Sequence, residues 1–273
     1  MAFLARDWSQ RLGRERPVVI VAAADSGARM LARSLTRAGV SLGDAQRPGL
    51  LRRRSFGDVL DDLARRNLHL PPQVRPRPDD LGRFQRSVYR HMQASTGAKS
   101  WGWQHSSSGM LGSFVAETFP DARFVHVVRD GRDVALCERP MSGLPPPLGR
   151  RLEERLGIQG EPAAVQAAAI WAFQVERFIR FSAHFSQPIL TLRFEQLLRD
   201  PGGELQKLAR FLELPLNSLP GRSLEPTLER LPLGGSDATL AKIEARVGSV
   251  LRRLGYSAPE RATGRKRLPV LGS

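Results

Sequence analysis

The chain has 273 residues, of which 41% are hydrophobic and 25% are charged. This mix is that of a globular protein; it excludes a largely disordered, collagen-like or coiled-coil chain, and no apolar run approaches the roughly 18 residues of a membrane span. Charge at Arg6 and Asp7 comes too early for a secretory leader, and one cysteine, Cys137, excludes a disulfide framework and a multi-cysteine metal site. We therefore expect a cytoplasmic protein of bacterial type.

Arginine dominates the charge of the chain. Lys and Arg number 42 against 27 Asp and Glu, a formal charge of +15, and only four of the cations are lysines. Three explanations are open: anionic ligands, since the guanidinium group suits phosphate and sulfate; the coding bias of a GC-rich genome; and nucleic-acid binding. The arginines are dispersed and lack the interleaved aromatic residues of single-strand binders, so the pattern does not favour nucleic acid as a partner.

The first predicted element is a strand over residues 17–22. This run (PVVIVA) is continuously apolar and rich in β-branched residues, as in a strand that is buried on both faces. A loop of small residues follows at 23–27, and apolar residues at helical spacing over 30–38 predict a helix that Gly39 ends. The segment is thus a strand, a tight loop and a helix.

The rest of the chain alternates helices and strands. The pattern predicts strands over residues 123–128 and 189–194, and helices over 56–66, 81–92, 163–184, 204–212 and 237–254. Proline clusters interrupt it at 71–78 and at 140–149, and the second, with three consecutive prolines, is predicted to be a surface loop. Strands that alternate with helices predict an α/β fold, with a parallel sheet that helices cover on both faces.

The first loop is a candidate anion site. In parallel α/β sheets, ligands bind where the carboxyl ends of strands meet the amino ends of helices. Here the backbone N–H groups of four residues would point toward a phosphate or sulfate: Ser26, Gly27, Ala28 and Arg29. The chain lacks the G-x-x-x-x-G-K-[ST] loop of ordinary ATPases and kinases. A tight turn without a ligand is the alternative.

A longer motif is more specific. Residues 119–136 (FPDARFVHVVRDGRDVAL) closely resemble the 3′-phosphate-binding segment of the sulfotransferase family. The resemblance implies that Arg129, which ends a strand, binds the 3′-phosphate of 3′-phosphoadenosine-5′-phosphosulfate (PAPS), the sulfuryl donor. The family normally carries a serine eight residues later, where this chain has Cys137, a poorer hydrogen-bond donor. The alternative for residues 129–133 is a capped helix start with surface ion pairs.

Three further segments extend the resemblance. They are residues 39–44 (GVSLGD), 192–201 (LRFEQLLRDP) followed by 208–212 (LARFL), and 250–256 (VLRRLGY). Together with the first loop and the Arg129 segment they follow the family's order over residues 17–256. The resemblance implies a three-layer α/β/α, P-loop-like fold, with one domain over 1–258. The residues that follow, 259–273, are basic and contain proline, and we expect them to form a flexible tail. The resemblance also places Phe194 in the PAPS site.

The chain departs from the family pattern at the donor site. The family's first loop reads R-S-G-T-[TS], whereas here Asp25 stands at the cation position, and Ala28 and Arg29 replace the hydroxyl residues. In the family's W-G-W-K-x-P-R segment, Gln104 replaces the lysine, and two serines replace the proline and the arginine. Losing one preorganised donor costs on the order of 10²–10³ in rate, so these changes weaken donor activation unless Arg29 compensates.

Sulfuryl transfer also needs a base that deprotonates the acceptor. Asp44 lies near where family members carry an acidic base, and His105 lies in the altered lysine segment and has a suitable unperturbed pKa. Asp25 is the third candidate for a catalytic role. The alternatives are a turn residue for Asp44 and a satisfied loop histidine for His105. His126 is expected to pack in the sheet.

Two functions follow from the resemblance. The first is an enzyme that transfers a sulfuryl group from PAPS to a hydroxyl of a carbohydrate, lipid or small metabolite, without a metal ion. The second is a binding or regulatory protein that keeps the fold, has lost donor activation, and retains adenosine 3′,5′-bisphosphate (PAP) or another anion. The segment around Arg129 favours nucleotide binding in both cases, whereas Asp25, Gln104 and Cys137 favour the second.

Overall fold

The computed structural model describes residues 10–43, 55–95, 98, 100–137, 144–219 and 236–256. Its strands are β1 (Val18–Val21), β2 (Val40–Ser41), β3 (Ser100–Gln104), β4 (Arg123–Val128) and β5 (Ile189–Arg193). They form one parallel sheet in the order β2-β3-β1-β4-β5. The predicted α/β fold class with a parallel sheet is confirmed.

Helices connect the strands and cover both faces of the sheet, which makes a three-layer, P-loop NTPase-like fold. In chain order they are α1 (Ala28–Arg37), α2 (Phe56–Asn67), α3 (Pro78–Gln93), α4 (Gly112–Thr118), α5 (Gly131–Ala135), α6 (Pro146–Leu156), α7 (Ala163–Ser182), α8 (Phe194–Arg199), α9 (Pro201–Phe211) and α10 (Asp237–Arg253). A 3₁₀ turn at Ser108–Leu111 leads into α4. Within the described ranges, none of the helices has the length and hydropathy that crossing a membrane requires.

The apolar residues of β1 contribute to two hydrophobic clusters, one on each face of the sheet. Val19 and Val21 pack in a cluster with residues of α2, α3 and α7, whereas Val18 and Ile20 pack in a cluster with residues of α1 and α9. Because successive side chains of a strand point to opposite faces, a strand covered on both sides must be apolar at every position. The run over residues 17–22 is apolar for this reason.

His126 packs inside the sheet, as the sequence predicts. Its ring centroid lies 4.7 Å from that of Phe178 on α7. Burial lowers its pKa to about 4, so the imidazole is neutral near pH 7. A buried and neutral side chain on β4 contributes to packing and not to proton transfer at the strand ends.

The structure differs from the sequence prediction at the prolines. The helix α6 begins at Pro146, inside the segment predicted to be a surface loop, so that prediction is wrong for residues 146–149. The first N–H groups of a helix have no partner within the helix, so prolines in its first turn remove no hydrogen bond. The predicted tail over 259–273 lies outside the described residues.

The sequence pattern does not predict β2 and β3. The strand β2 has two residues, and β3 (SWGWQ) interrupts its aromatic residues with a glycine. Gly102 is needed there, because a Cβ at this position would lie 1.8 Å from the carbonyl oxygen of Val18 on the neighbouring strand. The close approach of β3 to β1 depends on this glycine.

Candidate functional site

The strand ends gather the site residues at one edge of the sheet. The loop over residues 22–27 follows β1, His105 follows β3, Arg129 follows β4, and Phe194 follows β5. Ligands of parallel α/β sheets bind at this carboxyl edge. Asp44 lies outside the described residues, so its candidate role as a base stays a prediction.

The loop after β1 forms a cradle with the first backbone amides of α1. The backbone N–H of Ser26, which was predicted to join them, instead donates to the carbonyl oxygen of Ala23 at 3.3 Å. Asp25 and Gly27 both adopt a positive φ, of 64° and 88°. The helix α1 begins at Ala28, and no side chain caps its first amides, so these N–H groups can bind an anion. Gly27 is required, because a Cβ at this position would lie 2.3 Å from the ring of Phe194.

Ser26 adds a hydroxyl group to this cradle. The residue is 1% exposed, and its Oγ has no hydrogen-bond partner in the part of the chain that the structure describes. Leaving a buried hydroxyl unsatisfied costs about 1–3 kcal/mol. A bound oxyanion would accept a hydrogen bond from it, so the loop has the donors that an anion needs.

The carboxylate of Asp25 is turned into the protein. Its side chain is fully buried, and its Oδ1 lies 4.0 Å from Nη2 of Arg29, whose side chain is 57% exposed. Arg29 is in the first turn of α1, and its guanidinium group therefore lies between the buried carboxylate of Asp25 and the solvent. From there it can offset the negative charge of Asp25 toward a bound anion.

Arg129 connects three of the predicted site segments. The residue is 3% exposed, and its Nη1 donates to the carbonyl oxygen of Asp25 at 3.0 Å and contacts Sγ of Cys137 at 3.9 Å. Its guanidinium carbon lies 4.6 Å from the ring centroid of Phe194. The structure thus brings together the first loop, the strand-end arginine, the cysteine and the phenylalanine.

Cys137 is a neutral thiol in this setting. Its Sγ donates to the carbonyl oxygen of Asp133 at 3.2 Å, one turn earlier in the chain. Burial raises the pKa of the thiol, and this effect outweighs the opposing effect of the Arg129 guanidinium. At the position where the family resemblance predicts a serine, this chain therefore has a weak hydrogen-bond donor.

The residues after Arg129 form the capped helix start that sequence analysis keeps as the alternative. Asp130 accepts from the backbone N–H of Arg132 at 2.9 Å and pairs with its side chain. The backbone N–H of Asp130 donates to Oε1 of Glu195 at 2.9 Å, and the hydroxyl of Tyr256 donates to Oε2 at 3.0 Å. Capping and ion pairs account for Asp130 and Arg132, but not for the buried Arg129.

His105 belongs to a buried polar cluster. Its Nε2 lies 3.7 Å from Oδ2 of Asp61 on α2, and its Nδ1 accepts from the backbone N–H of Ser107 at 3.3 Å. The hydroxyl of Ser107 donates to Oδ1 of Asp61. Burial lowers the pKa of His105, against the opposing effect of Asp61. Burial raises the pKa of Asp61, against the opposing effect of His105.

The sequence pattern does not single out Asp61. Its two acidic neighbours on the helix have structural roles, since Asp58 completes a capping box and Asp62 pairs with two arginines. The available signal is its place on the helix: Gly57 and Ala64, one turn before and one turn after Asp61, are buried. An acid aligned with the buried face of a helix needs a polar partner, but the pattern does not say which one.

The sequence and the fold now identify the family. The model of the sulfotransferase family matches residues 17–218, which is more than half of the chain. The chain therefore belongs to the sulfotransferase family, and the resemblance predicted from the motifs is confirmed. No curated protein matches it.

Solved structures with the same fold are bacterial sulfotransferases. The sulfotransferase domain of the curacin biosynthetic pathway is 14% identical over 90% of this chain and 99% of its own, with a TM-score of 0.52. The domain of the olefin synthase from Synechococcus PCC 7002 is 16% identical over 90% and 98%, with a TM-score of 0.51. Sulfotransferase STF1 from Mycobacterium tuberculosis H37Rv is 17% identical over 91% and 83%, with a TM-score of 0.52. At these identities the likeness establishes the fold.

Replacing Cys137 with serine tests the 3′-phosphate site. A hydroxyl donates a stronger hydrogen bond than a thiol, so we expect Cys137→Ser to tighten PAP binding. The gain should be up to about tenfold, because such a hydrogen bond contributes roughly 1 kcal/mol or slightly more. Calorimetric titration of PAP into the wild type, Cys137→Ser and Cys137→Ala measures the change. Unchanged or weaker binding by Cys137→Ser would make Cys137 a core residue only.

Proposed function

We propose that the protein transfers a sulfuryl group from PAPS to a hydroxyl group of a carbohydrate, lipid or small metabolite. One observation carries the proposal: the buried guanidinium group of Arg129 lies between the first loop, Cys137 and Phe194 at the carboxyl edge of the sheet. Family membership supports the reaction class. The single cysteine is a free thiol, which is compatible with the cytoplasm, where we place the reaction.

The residues of this edge fit the donor's two anionic ends. In the proposal, Arg129 holds the 3′-phosphate, with Cys137 beside it. The uncapped amides of α1 and the hydroxyl of Ser26 hold the 5′-phosphosulfate, and the exposed Arg29 adds the nearby cation. Bound PAPS supplies the sulfuryl group and a bisphosphate leaving group. Because the transfer needs little covalent chemistry from the protein, positioning and cationic stabilisation are what these residues contribute.

A second candidate function rests on Asp25. Its carboxylate lies in the loop that would receive the phosphosulfate, and the end of β3 carries the uncharged Gln104 where the family has a lysine. The terminal sulfate of PAPS carries negative charge beyond the point that the 5′-phosphate of PAP reaches, so a carboxylate in this loop disfavours PAPS relative to PAP. In this candidate function the protein binds PAP or another anion and has lost efficient transfer.

Titration with three nucleotides separates these functions. PAP, PAPS and adenosine 5′-monophosphate are titrated into the natural protein, and sulfate transfer is followed with and without a chelator of metal ions. We expect PAP to bind at least tenfold more tightly than the monophosphate, which lacks the 3′-phosphate, and transfer to proceed unchanged with the chelator. Tight binding without transfer would favour the second function. Equal affinities for PAP and the monophosphate would contradict both.

A further inference from the structure

The polar cluster of His105, Ser107 and Asp61 lies beside the first loop. In the parallel register of β1 and β3, Ile20 is opposite Gln104. His105 therefore follows at the level of Val21, and the two chains are one strand spacing apart, about 4.8 Å. The cluster is thus adjacent to the chain that enters the amide cradle.

The imidazole of His105 has no nitrogen directed toward a substrate. Its side chain is 6% exposed, its Nε2 faces Asp61, and its Nδ1 accepts from the backbone N–H of Ser107. A base must offer a lone pair to the proton that it removes. Since Nδ1 already accepts a hydrogen bond and Nε2 carries the hydrogen in that tautomer, the lone pair of His105 is engaged.

The carboxyl group of Asp61 is more accessible. Its side chain is 16% exposed, and a carboxylate has about four lone-pair positions. The hydroxyl of Ser107 occupies one of them, whereas Nε2 of His105, 3.7 Å from Oδ2, interacts with the carboxylate electrostatically and not through a hydrogen bond. The remaining positions can accept a proton from a ligand. Ser107 is not a nucleophile in this arrangement, because the residue is fully buried and its hydroxyl donates to Asp61 and not to His105.

We propose that Asp61 accepts the proton of the acceptor hydroxyl, and that His105 and Ser107 position its carboxylate; this assignment rests on the proposed function. In the step, a lone pair of the acceptor oxygen forms a bond to the sulfur of the donor. The bond between sulfur and the bridging oxygen breaks, and its electron pair leaves with the bisphosphate. The O–H bond of the acceptor breaks, and the proton passes to Oδ of Asp61. The products are a sulfate ester, PAP and protonated Asp61.

The electrostatics of the cluster suit this role. Burial raises the pKa of Asp61 above its ordinary value, and the carboxylate of Asp58 on the same helix raises it further. His105 and Ser107, on the segment after β3, act in the opposite direction. A carboxylate with a raised pKa is a stronger base than an exposed one. Activity should therefore appear as pH rises through the pKa of Asp61 and be lost below it.

Asp61→Asn tests the assignment, with Asp62→Asn as the matched control on the same helix. Turnover is measured as PAP release from PAPS with water and with 2-naphthol as acceptors, and PAP affinity is measured separately by calorimetry. We expect Asp61→Asn to lower kcat by about 10²–10⁴-fold, the usual contribution of a positioned base, and to change the Kd for PAP less than twofold. Asp62→Asn should lower kcat less than threefold.

His105→Gln distinguishes a positioning residue from a base. Glutamine keeps a donor toward Asp61 but has no basic nitrogen, so we expect kcat to fall less than tenfold and the acidic limb of its pH profile to move to higher pH. A loss as large as that of Asp61→Asn, with no shift of the limb, would make His105 the base and overturn the assignment. Full activity of Asp61→Asn would also overturn it and leave the proposed function standing. A natural protein that binds PAP without turning over PAPS would instead contradict both.

A second readout needs no turnover. The imidazole titration of His105 is followed by NMR in the ligand-free protein, with the resonance assigned from its absence in His105→Gln. Because Asp61 holds the pKa of His105 above the value that burial alone would give, Asp61→Asn should lower that pKa further, whereas Asp62→Asn should leave it unchanged. An unaltered titration in Asp61→Asn would show that the two side chains are not coupled and would contradict the positioning role.

Discussion

Replacing Arg129 with alanine should weaken PAP binding by about 10- to 150-fold. In the proposed function the change removes a charge-assisted contact to the 3′-phosphate, which is worth roughly 1.5–3 kcal/mol. The structure adds a reason for a large effect, because the same guanidinium group donates to the carbonyl oxygen of Asp25 and lies over the ring of Phe194. Its loss therefore also loosens the loop that would hold the other end of the donor.

Calorimetry of PAP binding measures this effect, with Arg132→Ala as the matched control. Arg132 is the next arginine along the chain, but its partners are Asp130 and Glu244, so its removal should change the Kd less than threefold. Arg129→Lys keeps the charge without the planar fork and should give an intermediate affinity. A folded Arg129→Ala protein with wild-type affinity would show that the 3′-phosphate binds elsewhere.

Removing the charge of Asp25 should tighten PAPS binding more than PAP binding. Two like charges about 4 Å apart repel by roughly 4 kcal/mol at an effective dielectric constant near 20, and a third of that repulsion between Asp25 and a bound sulfate suffices for about a tenfold gain in PAPS affinity. Asparagine is the suitable replacement, because Asp25 is buried with a φ of 64° and asparagine tolerates the left-handed region. Adding Gln104→Lys restores a cation at the end of β3 and should increase the gain.

Paired isotherms for PAPS and PAP test this expectation in Asp25→Asn, Gln104→Lys and the double variant. Asp121→Asn is the control, since Asp121 precedes β4 at the opposite edge of the sheet, where its carboxylate accepts from Gln187. The ratio of the two affinities should change in the first three variants and not in the control. If the natural protein transfers sulfate efficiently and Asp25→Asn abolishes the transfer, Asp25 is itself catalytic and the expectation is wrong.

Local patterns predict the strands at the centre of the sheet. The run that becomes β1 is continuously apolar because both of its faces are covered. The run of β4 is apolar apart from Arg123 at its start and the buried His126. The same does not hold at β2 and β3. The pairing of β3 with β1 depends on the fit of Gly102 against Val18, a contact between segments that are distant in the chain.

The Arg129 motif predicts a site but not how the site is held together. The sequence associates Arg129 with Cys137 at helical distance, and the structure places them in contact. The interaction of Arg129 with the carbonyl oxygen of Asp25 has no sequence signal, because a backbone acceptor is present at every residue. The parallel pairing of β1 with β4 places the loop after β1 beside the residue after β4, and this explains why Arg129 reaches the carbonyl oxygen of Asp25.

The sequence by itself determined the parallel α/β fold, the sulfotransferase family and the strand-end position of Arg129, because a pattern of residues close together in the chain predicts each of them. Tertiary structure alone decided that the carboxylate of Asp25 is buried beside Arg29, and that His105 meets Asp61. Both facts follow from packing between elements that are separate in the chain: α2 lies against the segment after β3, and the first loop is held by β4 and α8. Burial and their mutual interaction set the directions in which the pKa values of His105 and Asp61 shift, and neither of these influences is a property of the local sequence.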